Sequence, residues 1–313
     1  MEQHQNLTPL LVMRLAAPRT WAASVCPALF GELYCLLCGY GLTIFSGIAL
    51  FCACVLMQSA VNTFNDYFDF VKGTDTADDC VEVSDAVLVY NHIAPRQALL
   101  LGTAFLVVAA LLALPVILAS GPVPLVIGVI GGLAVITYSG GSWPISYFPV
   151  GELVSGFVMG GLIPLGIVAA VTGRLDWPVL VAALPFIIGI ALIMMSNNGS
   201  DIEKDRASRR CTLPAMLGRV NTLRVYRGAI IVWIVLLCLL PVLYAGMWGL
   251  LSTLFLLLFA RNVFRDLLCS TLVPTHRIEQ MKNIVKGNFL GNGAYLLTMA
   301  ILLIGGLVHG WSL

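Results

Sequence analysis

Apolar residues along this chain gather in long, nearly uncharged runs instead of alternating with polar ones. Nine such runs stand out, at about residues 20–40, 43–65, 97–119, 122–139, 151–172, 178–198, 225–245, 246–263 and 289–309. Each is near the ~20 residues that an α-helix needs to cross the hydrocarbon of a bilayer. The pattern predicts an all-α polytopic membrane protein with nine transmembrane helices. The run near 246 is the most confined, because Arg261 and Arg265 limit it.

The basic residues give this layout a direction. With the N-terminus inside, 16 of the 17 Lys and Arg fall in inside segments and only Arg174 falls outside. Positive charge collects on the cytoplasmic side of membrane proteins. The N-terminus is therefore expected in the cytoplasm and the C-terminus outside, in the cell (inner) membrane. The long connections, at about 66–96, 199–224 and 264–288, then all lie on the inner side, where function is expected. Residues 1–313 read as one membrane domain with no soluble second domain.

Composition agrees with a lipid environment. The chain is 59% hydrophobic and 11% charged, against about 25% charged for soluble domains. Net charge is +1 and there is no basic tail, so no nucleic-acid partner is expected. The nine cysteines fall mostly in apolar runs and read as small buried hydrophobes. That includes the C-x-x-C pair Cys35 and Cys38, which has no His or second pair nearby. The first twenty residues are polar and mixed, so no cleavable signal peptide is expected.

Two acidic clusters close apolar runs on the same side. Gln58, Asn62, Asn65, Asp66 and Asp69 fall at helical spacing at the end of the second run, followed by Lys72 and Asp75. Asn198, Asp201 and Asp205 fall three and four apart at the end of the sixth. Polar groups at membrane depth are costly and usually face a cavity. Carboxylates facing one another need a cation between them. Oxygen donors of this kind suit Mg²⁺, which takes one or two carboxylates and completes its shell with phosphate oxygens and water. A metal–diphosphate complex is the natural occupant. Lys72, Arg206, Arg209 and Arg210 stand beside the clusters, and Arg19 precedes the first run. Most of these set topology; one or two suit diphosphate oxygens, which Arg forks match well. A third segment, Tyr138 to Tyr147, carries Gly140-Gly141 and Trp143-Pro144 and marks a tight turn. Its aromatics fit a membrane interface, or a wall that steadies a carbocation by cation–π attraction.

These motifs, in this order, resemble the UbiA superfamily of intramembrane prenyltransferases, and within it the branch acting on 1,4-dihydroxy-2-naphthoate. Ala17-Pro18-Arg19-Thr20-Trp21 is similar to that family's R-P-x-T start of the first helix. Asn65-Asp66-Tyr67-Phe68-Asp69 with Lys72-Gly73-Thr74-Asp75 is similar to N-D-Y-x-D-x-x-K-G-x-D. Tyr138 to Tyr147 with Gly151-Glu152, and Asn197-Asn198 through Asp201 and Asp205 to Thr212-Leu213 and Leu217-Gly218, follow the branch as well. The resemblance implies nine helices around a central cavity with a cap of inner loops. It implies Mg²⁺ held by Asp66, Asp69, Asp201 and Asp205, with Asn62, Asn65 and Asn198 assisting. Arg19, Lys72, Tyr138, Arg209 and Arg210 complete the expected substrate-binding set. There are departures: Ser200 replaces the family's Arg, Arg209-Arg210 replaces Gly-Lys, and residues 79–85 are acidic where a G-P-x-R stretch is usual. His92, in the same connection, reads as a solvated histidine.

The expected activity is Mg²⁺-dependent transfer of a polyprenyl group from polyprenyl diphosphate to a small aromatic acceptor, with dihydroxynaphthoate favoured by the signatures. A 4-hydroxybenzoate, haem or lipid acceptor remains an alternative. A transporter is a rival from another class, since Glu32 lies deep in the first run. Against it, the acidic groups cluster at one side rather than at the midplane, where transporter sites lie.

Overall fold

The computed structural model describes residues 5–73 and 86–309 of the chain. The described residues form helices and their connections, apart from an isolated bridge between Gln5 and Ile93. Helix α1 (Pro9–Ala16) starts at Thr8, whose hydroxyl accepts from the Leu11 amide, and ends at Ala17 in a left-handed conformation. A 63° bend then leads into α2 (Ala22–Leu37). Next come α3 (Ile44–Val71), the short α4 (Val87–Asn91), α5 (Pro95–Ser120) and α6 (Pro122–Thr137). The second half holds α7 (Gly151–Thr172), α8 (Pro178–Ala182), α9 (Leu184–Ser200) and α10 (Ile202–Ala207). It continues with α11 (Leu213–Ala245), a return limb α12 over residues 250–268, and α13 (Arg277–His309).

The polar–apolar pattern explains the packing. Large apolar side chains such as Ile44, Leu100, Leu243 and Leu257 face outward, as a lipid surroundings requires. Inside, Phe30 of α2, Phe186 of α9 and Tyr295 of α13 pack ring on ring. Gly246–Gly249 turns the chain back, so that the Ser252 hydroxyl donates to Leu237 O and Trp233 packs on Phe264. α7 approaches α9 very closely where its helix widens to a π turn at Val158–Leu162. Gly160 there leaves no room for a side chain: a Cβ would lie 2.4 Å from Ile187 N.

The expected count of nine crossings is corrected. Among the described residues, five helical segments are long and apolar enough to cross a membrane, or six if the bent pair forms one span. Two expected runs, 122–139 and 178–198, yield apolar helices of only 16 and 17 residues. The runs 225–245 and 246–263 fall within one continuous helical stretch of 56 residues, Leu213–Leu268, which folds back on itself at Gly246–Gly249. The run 20–40 carries the bend. Hydropathy reports how apolar a stretch is, not where its helix stops, bends or continues. The all-α, multi-pass membrane architecture stands. α3, α6 and α9 end at one face of the bundle, where α2, α5, α7, α11 and α13 begin, and the side-chain contacts below gather there.

Candidate active site

The last turns of α3 supply the first half of the site. The Asn62 amide donates to Ala16 O at 3.0 Å and Thr20 Oγ1 at 2.9 Å, and its oxygen accepts from Gln58 Nε2 at 3.1 Å. It thereby pins the α1–α2 bend against α3. Asn65 accepts from the Ser139 hydroxyl. Asp66 accepts from the Val87 and Leu88 amides at 2.8 and 3.2 Å, capping α4. Asp69 is half-buried one turn further on. Lys72 Nζ donates to Ser139 O at 2.9 Å and lies 5.0 Å from the Tyr147 ring centroid and 5.4 Å from that of Phe68.

The second half is built around a helix break. α9 stops at Ser200, Asp201 leaves helical geometry at φ −106°, and α10 resumes at Ile202. Asn198 donates to Glu152 Oε1 at 2.8 Å, joining α9 to α7. Asp201 pairs with Arg277 at 3.1 Å, and Arg277 also donates to Asn197 Oδ1 at 2.8 Å. Asp205, only 1% exposed, accepts from Thr212 Oγ1 at 2.8 Å and faces Arg210 Nε at 3.5 Å. Thr212 also caps α11. Gly218, at φ +73°, breaks that helix in a conformation a side chain would resist; beyond it Arg219 reaches back to Gly199 O and Glu203.

The halves meet at Arg210 and Tyr147. Arg210 is held charged by Asp205, Asp69 and Asp201, against the cost of its burial. Its guanidinium lies 5.1 Å from the same Tyr147 ring that Lys72 approaches. The Cys211 amide donates to Tyr147 O at 2.9 Å, tying the second motif to the turn after α6. Burial pushes the Asp201 and Asp205 carboxyls above the usual range; Arg277 opposes this most at Asp201, and Arg210 at Asp205. Burial lowers the Lys72 ammonium, Asp69 opposes that, and Arg210 adds to it.

Beside this cluster, and sharing Asn62 and Asn65 with it, lies a cavity of about 210 Å³ within the bundle. Gln58, Asn62, Asn65, Tyr138 and Ser155 mark its polar end; Leu50, Ala113, Ile117 and Ala170 mark the other. Asn65 and Leu50 are fifteen residues apart on α3, so the lining spans ~22 Å.

Not every expected residue joins the cluster. Arg209 is exposed at φ +56°, and its neighbour Arg210 is the one turned among the carboxylates. Arg19 is exposed at the bend, and His92 is exposed with a left-handed backbone. Asp75, Asp78, Asp79 and the 79–85 stretch lie outside the described residues. Glu32 stands apart, half-buried on α2 beside Gly47. Conversely, Ser139, Tyr147, Glu152, Thr212 and Arg277 take part without having been expected as binding residues. All but Arg277 sat in motif segments; Arg277 has no local signal, because its partner is distant in sequence.

Comparison with known proteins places this geometry. Residues 24–278 match the UbiA prenyltransferase family. The chain belongs to that family. It is thus a UbiA-type prenyltransferase, an integral membrane enzyme. It is 31% identical over 229 residues to a 1,4-dihydroxy-2-naphthoate octaprenyltransferase of Bacillus subtilis, covering 72% of each chain. It is 32% identical over 179 residues to an enzyme of the same name from Mycobacterium tuberculosis, covering 57% of this chain and 60% of that one. Among solved structures, a UbiA homolog from Archaeoglobus fulgidus bound to GPP and Mg²⁺ superimposes with a TM-score of 0.63 at 14% identity, over 94% of this chain and 99% of that one. A UbiA homolog from Aeropyrum pernix K1, in its apo form, gives 0.64 at 16% identity, over 88% and 98%. These likenesses extend to the fold.

Proposed function

We propose that this prenyltransferase joins the prenyl group of a polyprenyl diphosphate to a small aromatic acceptor, a 1,4-dihydroxy-2-naphthoate-like ring, as in menaquinone biosynthesis. The observation that carries the reading is the shared cluster. Two acidic helix ends and two cations converge beside the polar end of a long apolar cavity. The mouth suits a diphosphate and the cavity suits its tail. The two relatives named for dihydroxynaphthoate support this acceptor.

The donor set fits Mg²⁺. Among the described residues no group of three or more His, Cys, Asp or Glu is arranged to hold an ion by itself. The donors are all oxygens, one or two carboxylates from each helix end, and Mg²⁺ takes few carboxylates and completes its shell from substrate phosphate. Asp66 and Asp69 on one side, Asp201 and Asp205 on the other, would hold it, with Asn62, Asn65 and Asn198 assisting. Bound Mg²⁺ would neutralise the diphosphate and make it a better leaving group.

The chain's own residues do the rest. Lys72 and Arg210 bind diphosphate oxygens in a low-dielectric pocket, where their charge counts for more; Tyr138, at the polar end of the cavity, completes the set. The C–O bond to diphosphate breaks, and the acceptor ring carbon bonds to the allylic carbon. The ring then loses CO₂ if it carries a carboxylate there, or a proton if it does not. The apolar walls keep water from the cation.

Residues 1–313 act as one membrane domain in this reading, with the site on the cytoplasmic side. Lys72, Arg206, Arg210, Arg219 and Arg277 all gather at the site end, as the positive-inside rule asks of an inner face. α1 packs at that end and α13 runs away from it, which supports an N-terminus inside and a C-terminus outside.

The test uses purified enzyme in lipid nanodiscs with radiolabelled polyprenyl diphosphate and a panel of acceptors. Prenylated naphthoquinol should form with Mg²⁺ and disappear with EDTA. Product from 4-hydroxybenzoate alone would overturn the acceptor; no product from any acceptor would overturn the reaction.

A further inference from the structure

Outside the carboxylates, the site contains an arrangement with no assigned role: two cations, one from each motif, on one neutral ring. Lys72 Nζ lies 5.0 Å from the Tyr147 centroid, and the Arg210 guanidinium carbon lies 5.1 Å from it. Each is tied to the same turn by a further bond. Lys72 donates to Ser139 O at 2.9 Å, and Cys211, next to Arg210, donates its amide to Tyr147 O at 2.9 Å. Two cations drawn this near repel each other and need a counterweight. Asp205 faces Arg210 at 3.5 Å and Asp69 acts on both cations, but a carboxylate consumes charge that an anionic ligand needs. An aromatic face attracts cations through its quadrupole and carries no net charge. It therefore helps to gather them without neutralising them further.

We propose that Tyr147 is a positioning residue that holds Lys72 and Arg210 at the spacing a diphosphate requires, through its ring rather than its hydroxyl. The proposal rests on the reading that the site binds a diphosphate. The ring makes the cradle ready before the donor arrives, so its loss should weaken diphosphate binding and spare the chemical step. The main-chain tie from Cys211 survives any side-chain change at Tyr147, which separates the ring's contribution from the turn's.

The experiment measures binding of inorganic pyrophosphate with Mg²⁺ by calorimetry, and donor KM and kcat, for the full chain in nanodiscs. Tyr147→Phe should bind pyrophosphate within about twofold of the unchanged protein. Tyr147→Leu should bind about tenfold more weakly, with donor KM raised in step and kcat changed little. Should the leucine variant fail to fold, phenylalanines carrying increasing numbers of ring fluorines decide the matter, since they keep shape while draining the quadrupole. Binding should weaken stepwise along that series. Equal binding by the leucine variant, a phenylalanine variant as weak as leucine, or a flat fluorine series would each overturn the proposal. Absence of pyrophosphate binding by the unchanged protein would instead sink the diphosphate reading beneath it.

Discussion

Replacing Gly160 by alanine tests whether the close approach of α7 and α9 builds the site. A Cβ at Gly160 would lie 2.4 Å from Ile187 N, 2.5 Å from Ile187 Cα and 2.6 Å from Phe186 C. All three are backbone atoms, so no side chain can rotate away. Ordinary carbon contacts begin near ~3.5 Å, so the helices must part by roughly 1 Å. Overpacking of this kind costs about 1–3 kcal/mol, occasionally more. The same shift would stretch the 2.8 Å bond between Asn198 on α9 and Glu152 on α7 beyond hydrogen-bond range. We therefore expect Gly160→Ala to lower the thermal midpoint and to cut turnover beyond what its loss of folded protein explains. Gly132→Ala on α6, where a Cβ meets nothing within 4 Å, is the control and should be neutral or slightly stabilising. The assays are a thermal-shift series and prenyl transfer normalised to folded enzyme. Full activity and an unchanged midpoint in Gly160→Ala would refute the reasoning.

Further outcomes follow from the carboxylates. Because burial raises the Asp201 carboxyl in the folded state, its charge works against folding. Its contribution is most favourable below the unfolded value and is lost as pH rises through the folded one. Metal-free Asp201→Asn should therefore gain stability over the native protein at neutral pH and lose that advantage below about pH 4, by urea unfolding in detergent. Arg277→Met should cost about 3 kcal/mol by the same measurement, since it strands Asp201, which is only 15% exposed. Asp66→Ala, Asp69→Ala and Asp205→Ala should each reduce Mg²⁺-dependent turnover about a hundredfold or more; near-native rates in any of them would remove that residue from the metal site.

The polar face of α3 was legible because one uninterrupted helix, Ile44–Val71, carries it. Gln58, Asn62, Asn65, Asp66 and Asp69 keep their 3.6-residue register to the end. In sequence the second motif presents the same kind of face, but Asp201 leaves helical geometry, so Asn198 and Asp205 sit on different helices. Local spacing carries no sign of such a break. Arg209 and Arg210 looked equivalent in sequence; the left-handed backbone at Arg209 separates them. The pairing of Arg277 with Asp201 depends on how α13 packs on α9, and no window of sequence contains both. The miscounted crossings have a related origin: hydropathy sums over residues, whereas helix ends depend on single dihedral angles.

The elongated cavity along α3 is also a gauge. For a donor whose tail lies in it, each helical turn between Asn65 and Leu50 offers a stop ~5.4 Å beyond the last. A bulky side chain at Ala53, on the lining wall, would arrest shorter tails than one at Leu50. Product size would then be dialled by one plug on one helix, with the chemical machinery at the mouth left alone.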